Sequence, residues 1–448
     1  MSIAELDHRH LWHPFTQMSD WLADEPLVVV SGEGNWLVDE RGRRFLDGVS
    51  SLWCNVHGHR HPAIDAAVVE QLGRIAHTTM LGLTHPGAAE LAARLVGIVP
   101  EGLTRVFYSD AGATAVEIAL KMAFQYWRLR GHPERRRIAS LADAYHGDTI
   151  GAVAIGYSET FHRHHEDLLF RDVVRILPPH VFRWRDGLSG DAAVAAALDD
   201  ARRAIGAHAS ELAAVFVEPL VQGAAGMWTH PPAYRVGLER LVREAGALLV
   251  CDEVATGFGR TGEMFACGHA GVRPDLLCVG KGLTAGYLPL AATFATEEIF
   301  SAFLGRYEDF VAFFHGHTYT GNPLGCAAAL ACLDVFERED TLARARARAT
   351  RIGELLAREI EPLAHVGDVR RHGLMVGIEL VADRERRTPY EPGARIGQRV
   401  CQAARRHAVI LRPLGNVIVL MPPLSLAEDE ADLLVGAAAA AIREVTEA

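Results

Sequence analysis

The chain has no run of the roughly 18 to 20 apolar residues that a membrane-spanning helix requires, which argues against membrane insertion by a helix. It also lacks paired cysteines. The seven at positions 54, 251, 267, 278, 326, 332 and 401 are odd in number and include no C-x-x-C. Several stand inside apolar runs, where a thiol behaves as a small hydrophobe, and the reading is a reducing compartment. Cationic clusters are short: the formal net charge is -11, and "HPERRRIAS", the densest basic stretch, reads as a solvated turn. Nucleic-acid binding is excluded on that ground, because phosphate recognition needs clustered cations that release counterions. The opening "MSIAELDHRH" has no basic region followed by an apolar stretch, so a cytoplasmic location is expected. No internal repeat or low-complexity linker appears, and the parts of the chain are expected to pack closely.

What is present is the composition of an ordinary globular protein, 49% hydrophobic and 23% charged, with 448 residues, enough for two or three domains. Four short apolar runs recur: "AAVFVEP" (213–219), "ALLVCDE" (247–253), "DLLCVGKG" (275–282) and "LAATFAT" (290–296). Their hydrophobicity is continuous rather than alternating, which predicts strands buried on both faces in a mostly parallel sheet covered by helices, hence an α/β class. Spacings of roughly 30 residues between the first three suit strand–helix–strand crossovers. Three of the runs end on a charge: Glu218, Asp252 and Lys281. Open parallel sheets bind ligands beyond the carboxyl ends of their strands, so these three are expected to converge, although a strand end is also simply a convenient place for a charge. From about residue 335 the texture changes to a charged helix ("FEREDTLARARARATRIGELLAREI"), short strands and a closing alanine-rich helix. The expected division is an N-terminal segment (1–65) that helps complete the small domain, a large domain (66–334) and a small α+β domain (335–448).

Lys281 lies between two glycines after a buried strand, where an ammonium would lose several kcal/mol of hydration unless its charge were neutralised or consumed. Asp252, 29 residues earlier and also at a strand end, needs a cation to stay ionised in a dry site. "RVFYSDAGATAVEIALKMAFQYWRLRG" (105–131) reads as strand, turn and helix, with Val116, Leu120, Ala123, Phe124 and Trp127 at helical spacing. The backbone N–H groups of Gly112 and Ala113 can face an anion at that helix start, where the dipole adds roughly 0.3 to 1 kcal/mol. Simple capping by Ser109 or Asp110 is the alternative. "GFGRTG" (257–262) matches a dinucleotide fingerprint literally but is not followed by a helix opening on its last glycine. The histidine runs "HGHRH" (57–61) and "HRHHE" (162–166) are not assigned a metal, and the second reads as an exposed polar loop.

Pyridoxal 5'-phosphate meets all these demands, with an aldehyde for Lys281, a ring nitrogen for Asp252 and a phosphate for Gly112 and Ala113. At this point the chain resembles the class III aminotransferases of the fold type I pyridoxal-phosphate superfamily, through "SDAGATAVEIALKMA", "AYHGDTIGA", "EPLVQGAAGM", "CDEVATGFGRTG", "CVGKGLTAG" and "HGHTYTGNPLGCAAA" in that order. The resemblance implies Lys281, Asp252 and Tyr145 as catalytic residues. Lys281 condenses with the cofactor, Asp252 pairs with the ring nitrogen, and Tyr145 and Val254 lie on the two ring faces. It further implies Gly112 and Ala113 at the phosphate, joined by His317 and Thr318 from the second subunit of a homodimer with shared active sites. Such an enzyme works by ping-pong kinetics, through pyridoxal and pyridoxamine phosphate.

Within class III, "LWHPFTQM" (11–18), "SSLWCNVHGHRHP" (50–62) and "LRPLGNVIVLMPP" (411–423) are similar to the diaminononanoate synthases of biotin biosynthesis, which aminate 8-amino-7-oxononanoate. That likeness implies Arg412 on the substrate carboxylate, Trp53 as a pocket wall, Leu52 and Gly316 touching substrate, Asp148 following the cofactor tyrosine, and Arg260 handling a donor carboxylate. Phe15, Leu52 and Val419 depart from the usual tyrosine, tryptophan and tyrosine of that branch, all on the substrate side. The implied amino donor is S-adenosylmethionine or, in a smaller branch, lysine. The rival expectation is a broader ω-aminotransferase acting on diamines or β-amino acids with pyruvate.

Overall fold

The computed structural model describes residues 1–447. At its centre lies a seven-stranded sheet in the order Leu103–Ser109, Ala291–Thr296, Leu276–Val279, Leu248–Asp252, Leu212–Val217, Arg137–Leu141 and Val173–Ile176. All pairings are parallel except those of Ala291–Thr296, which runs against both its neighbours. The strands Leu212–Val217, Leu248–Asp252 and Leu276–Val279 are buried along their whole length, which is why their sequences are apolar without alternation. Helices cover the two faces, with Gly112–Leu129 contributing Val116, Leu120 and Ala123 to one core layer.

Six of the seven strands point the same way, so Ser109, Leu141, Val217, Asp252 and Val279 all end at one edge of the sheet. The turns that leave those ends carry Gly112, Tyr145, Glu218, Val254 and Lys281, which is how the fold assembles a site from residues far apart in sequence.

A second sheet joins the two ends of the chain: Val29–Glu33, Trp36–Asp39 and Arg44–Asp47 form an antiparallel meander whose last strand pairs in parallel with Val409–Ile410. A third, antiparallel sheet is built from Val366–His372, Met375–Asp383, Val417–Leu420 and Arg412–Leu414, with Thr388–Pro389 on its edge. The single charged helix expected from about residue 335 is in fact two, Pro323–Arg338 and Thr341–Glu359, because Asp340 takes a left-handed conformation (φ 48°) that breaks the hydrogen-bond ladder between them. "GFGRTG" lies in irregular turns with no helix opening on Gly262, as its sequence context indicates. None of the helices among the described residues is long and apolar enough to cross a membrane.

Candidate active site

A cleft of about 430 Å³ opens at the shared strand edge, lined by Trp53, Ala111–Thr114, Tyr145–Thr149, Glu218, Asp252, Val254 and Lys281 among others. The three charged strand ends therefore converge.

The helix Gly112–Leu129 opens on this cleft with no side-chain cap on its first turn. Ser109 Oγ is buried without a partner, and Asp110 instead lies 2.9 Å from Nδ1 of His317, so neither fills the capping role. The first-turn N–H groups and the positive end of an 18-residue helix are left facing the cleft. Gly112 is required by packing, since a Cβ there would lie 2.4 Å from Cγ1 of Val254.

Asp252 is buried at the floor. One carboxylate oxygen accepts from Nδ1–H of His146 (2.7 Å) and the other from the Val254 N–H (3.0 Å), while the second His146 nitrogen has no partner. Sequence reasoning missed His146. Its only signal was its place beside Tyr145, and its partner is 106 residues away. Glu218 is buried too, accepting from the N–H groups of Tyr145 (3.0 Å) and Gly223 (2.9 Å). Burial, with the nearby Asp252 charge, pushes its carboxyl up to about 7 against the pull of His146. The folded-state value thus exceeds the unfolded one, so this group's contribution to stability is complete below the ordinary carboxyl range and is lost as pH rises through about 7. Difference infrared spectra of cofactor-free wild type against Glu218→Leu are expected to show a protonated carboxyl titrating near that value; a midpoint in the ordinary range would contradict it.

Lys281 makes no hydrogen bond or salt bridge among the described residues. Its Nζ sits 5.5 Å from the Trp53 ring centroid. Desolvation lowers its amine pKa, opposed by the charges of Asp252 and Glu218, so more of it is the neutral nucleophile than for a surface lysine. Trp53 is presented by a strained segment: Ser50, Ser51 and Trp53 all have positive φ (52°, 60° and 63°), a cost of about 1 to 3 kcal/mol each. Asp47 pins that segment by accepting from the N–H and Oγ of Ser51, and Ser50 Oγ donates to the Met421 carbonyl. Trp53 and Val419 share one apolar cluster with Leu220, Met227, Met375 and Met421.

On the outer wall, Tyr145 donates its hydroxyl to Asp148 (2.6 Å). Burial works to raise the Asp148 carboxyl, but contacts from His162 and Tyr145 prevail and hold it below the usual value. His162 corrects the reading of "HRHHE" as an exposed loop: residues 163–166 are exposed, but His162 itself is buried at 3% exposure because the helical turn Glu159–His162 faces it inward.

The other expected residues fall in two groups. Arg412 is not among the residues lining the cleft; it is partly buried near the Tyr145 hydroxyl at the cleft wall, and has no carboxylate within salt-bridge distance among the described residues. Arg260, by contrast, is fully buried outside the cleft lining and donates to the carbonyls of Pro422 (2.7 Å) and Asn55 (2.6 Å). Phe15 and Leu52 are exposed, at 57% and 47%, and do not line the cleft; Phe15 meets the edge of Phe161. Gly316 and Thr318 are exposed and also stand apart from it.

The model of the family described as "Aminotransferase class-III" matches residues 18–442. The chain belongs to the class III aminotransferases. This aminotransferase is 56% identical, over 99% of its length and 82% of the relative's, to the adenosylmethionine-8-amino-7-oxononanoate aminotransferase of Nitratidesulfovibrio vulgaris. A crystal structure of the protein of that name from Methanocaldococcus jannaschii superposes with a TM-score of 0.94 at 43% identity, covering 99% of both chains. An amine transaminase from an uncultivated Pseudomonas species, solved in its PLP-bound form, gives 0.92 at 39% identity, covering 97% of this chain and 99% of that one. The fold is that of these transaminases, an α/β protein with a large, mostly parallel sheet.

The cleft residues fit pyridoxal 5'-phosphate. They offer an uncapped helix start for a dianion, an amine without a partner among the described residues, and a buried carboxylate held by two donors.

Proposed function

We propose that this aminotransferase uses pyridoxal 5'-phosphate to convert 8-amino-7-oxononanoate to 7,8-diaminononanoate in biotin biosynthesis. The N–H groups of Gly112 and Ala113 would hold the cofactor's phosphate and Asp252 its ring nitrogen, with Tyr145 and Val254 on either side of the ring. When bound, it supplies an aldehyde that takes up amines and a cationic ring that withdraws electrons from the adjoining carbon.

The protein's own groups do the rest. Lys281 Nζ, which makes no hydrogen bond among the described residues, would be the amine that holds the cofactor's aldehyde. It then accepts a proton from the donor carbon and returns it one atom away, a transfer its lowered pKa favours. Asp252, fixed in place by two donors, would pair with the ring nitrogen. With one cleft serving both the amino donor and the carbonyl acceptor, the two substrates would be handled in turn, with ping-pong kinetics.

The observation that carries the substrate assignment is Arg412, a guanidinium near Tyr145 with no carboxylate among the described residues within salt-bridge distance. A long oxo acid needs an apolar channel and one fixed cation, and arginine's planar fork suits a carboxylate. The names of the relatives support the same acceptor, and they support S-adenosylmethionine as donor, with lysine the alternative. Arg412→Ala is expected to raise KM for 8-amino-7-oxononanoate by about 30- to 100-fold, the worth of one charge-assisted contact, with a smaller effect on kcat. Single-turnover assays with the amino-loaded enzyme check both points: conversion of the oxo acid supports the proposal, and failure after loading with either donor contradicts it. The amine transaminase neighbour favours a second reading, a broader ω-aminotransferase, which efficient turnover with pyruvate in place of the oxo acid would establish.

We also propose a homodimer in which a second copy brings His317 and Thr318 to the phosphate. The loop around them exposes Phe310, Phe314 and Tyr319 at 67%, 75% and 61%, an apolar surface of the kind one expects a partner to cover. The seven free thiols fit a cytoplasmic location. The division at about residues 65 and 334 is proposed because the seven-stranded sheet is drawn wholly from the middle segment, while the two ends of the chain share a sheet of their own.

A further inference from the structure

His162 stands where neither cofactor binding nor core packing demands an ionisable ring. Its Nδ1 lies 3.0 Å from the Ser158 N–H and accepts from it, and a ring nitrogen that accepts carries no proton, so the neutral ring carries its hydrogen on Nε2. That Nε2 is buried, has no hydrogen-bond partner, and points at Oδ1 of Asp148 from 3.8 Å. The other Asp148 oxygen is taken by the Tyr145 hydroxyl at 2.6 Å. The rings of Tyr145 and His162 lie nearly parallel, 13° apart, and Phe161 meets His162 edge to face. Asp148 is thus a half-exposed carboxylate at the cleft wall, with one oxygen fixed by Tyr145 and the other faced by a donor that has nothing else to bond.

We infer that His162 is a positioning residue, whose Nε2–H fixes Asp148 so that its carboxylate meets the ammonium group of an amine-bearing substrate. The inference rests on the function proposed above, in which the acceptor carries an amino group beside its carbonyl. At 3.8 Å the contact is too long for a hydrogen bond. Catalytic contacts of this kind commonly shorten when substrate arrives, and a rotation of the Asp148 carboxylate toward an ammonium would close this one.

The two ring nitrogens can be tested separately. Asparagine places a polar group where Nδ1 stands and keeps the bond from Ser158; glutamine reaches the position of Nε2 and keeps the donor to Asp148. His162→Asn is expected to raise KM for 8-amino-7-oxononanoate by about tenfold with kcat changed less, and His162→Gln to stay within about twofold. The inhibition constant of 7-oxononanoate, the same acid without the amine, should be unchanged in both. Asp148→Asn should reproduce the KM rise, and adding His162→Asn to it should change nothing further.

The reverse order, with asparagine normal and glutamine defective, would make His162 a cap for its own short helix and overturn the inference, as would an equal loss of affinity for the amine-free acid. Should His162→Asn not fold, His162→Gln matching wild type while Asp148→Asn does not is the supporting result, and the two behaving alike the contrary one. Wild type that leaves 8-amino-7-oxononanoate untouched removes the proposed function and the inference together; active wild type with the wrong order of variants removes the inference alone.

Discussion

Alanine in place of Lys281 is expected to lower kcat by more than about 10⁴-fold while leaving the fold intact. General acid–base catalysis by one positioned group contributes about 10² to 10⁴, and Lys281 is both the amine that anchors the cofactor and the group that moves the proton, so its losses combine. The side chain makes no hydrogen bond among the described residues, and its charge is disfavoured by burial, so removing it relieves a desolvation cost rather than breaking a network. A melting temperature equal to or above that of wild type, with activity gone, is the expected pair of results. Added methylamine should restore part of the rate if the missing function is a base, because Lys281 is the amine among the described residues that line the cleft.

Asp252→Ala has the second-largest effect, a fall in kcat of about 10³-fold, or about 4 kcal/mol of transition-state stabilisation. The carboxylate is held by His146 Nδ1 and the Val254 N–H, so its position is fixed before any ligand enters and no reorganisation is needed when charge develops on the ring. Asp252→Asn separates charge from shape: it keeps a polar group beside Val254 but no anion, and should be nearly as slow as the alanine variant. Steady-state kinetics on the two variants check this, and near-wild-type activity of the asparagine form would show that the charge is unnecessary.

Lys281 and Asp252 were legible because each ends a continuous apolar run, and the turn at Gly112 because an apolar pattern at helical spacing follows it; parallel strands put such ends at one edge of a sheet. Residues that reach the site through contacts alone were not. His146 follows Tyr145 in "AYHGDT", and nothing local says that it faces Asp252. His162 was hidden by its company, since a run of polar residues reads as exposed although one turn of helix buries its last position. Arg260 shows the limit from another side: nothing in its motif, just after the Asp252 strand, tells that two of its guanidinium nitrogens donate to the carbonyls of Pro422 and Asn55. The strained serines before Trp53 carry no glycine to announce their left-handed backbone. The break at Asp340 did have a signal, an aspartate followed by threonine inside a charged helix, the kind of pair that starts a helix anew.

Borohydride reduction of the protein saturated with pyridoxal 5'-phosphate, followed by peptide mass spectrometry, tests the central chemistry most directly. A pyridoxyl group on Lys281, and its disappearance in Lys281→Ala, is the result predicted; a label on another lysine, or none at all, would contradict it.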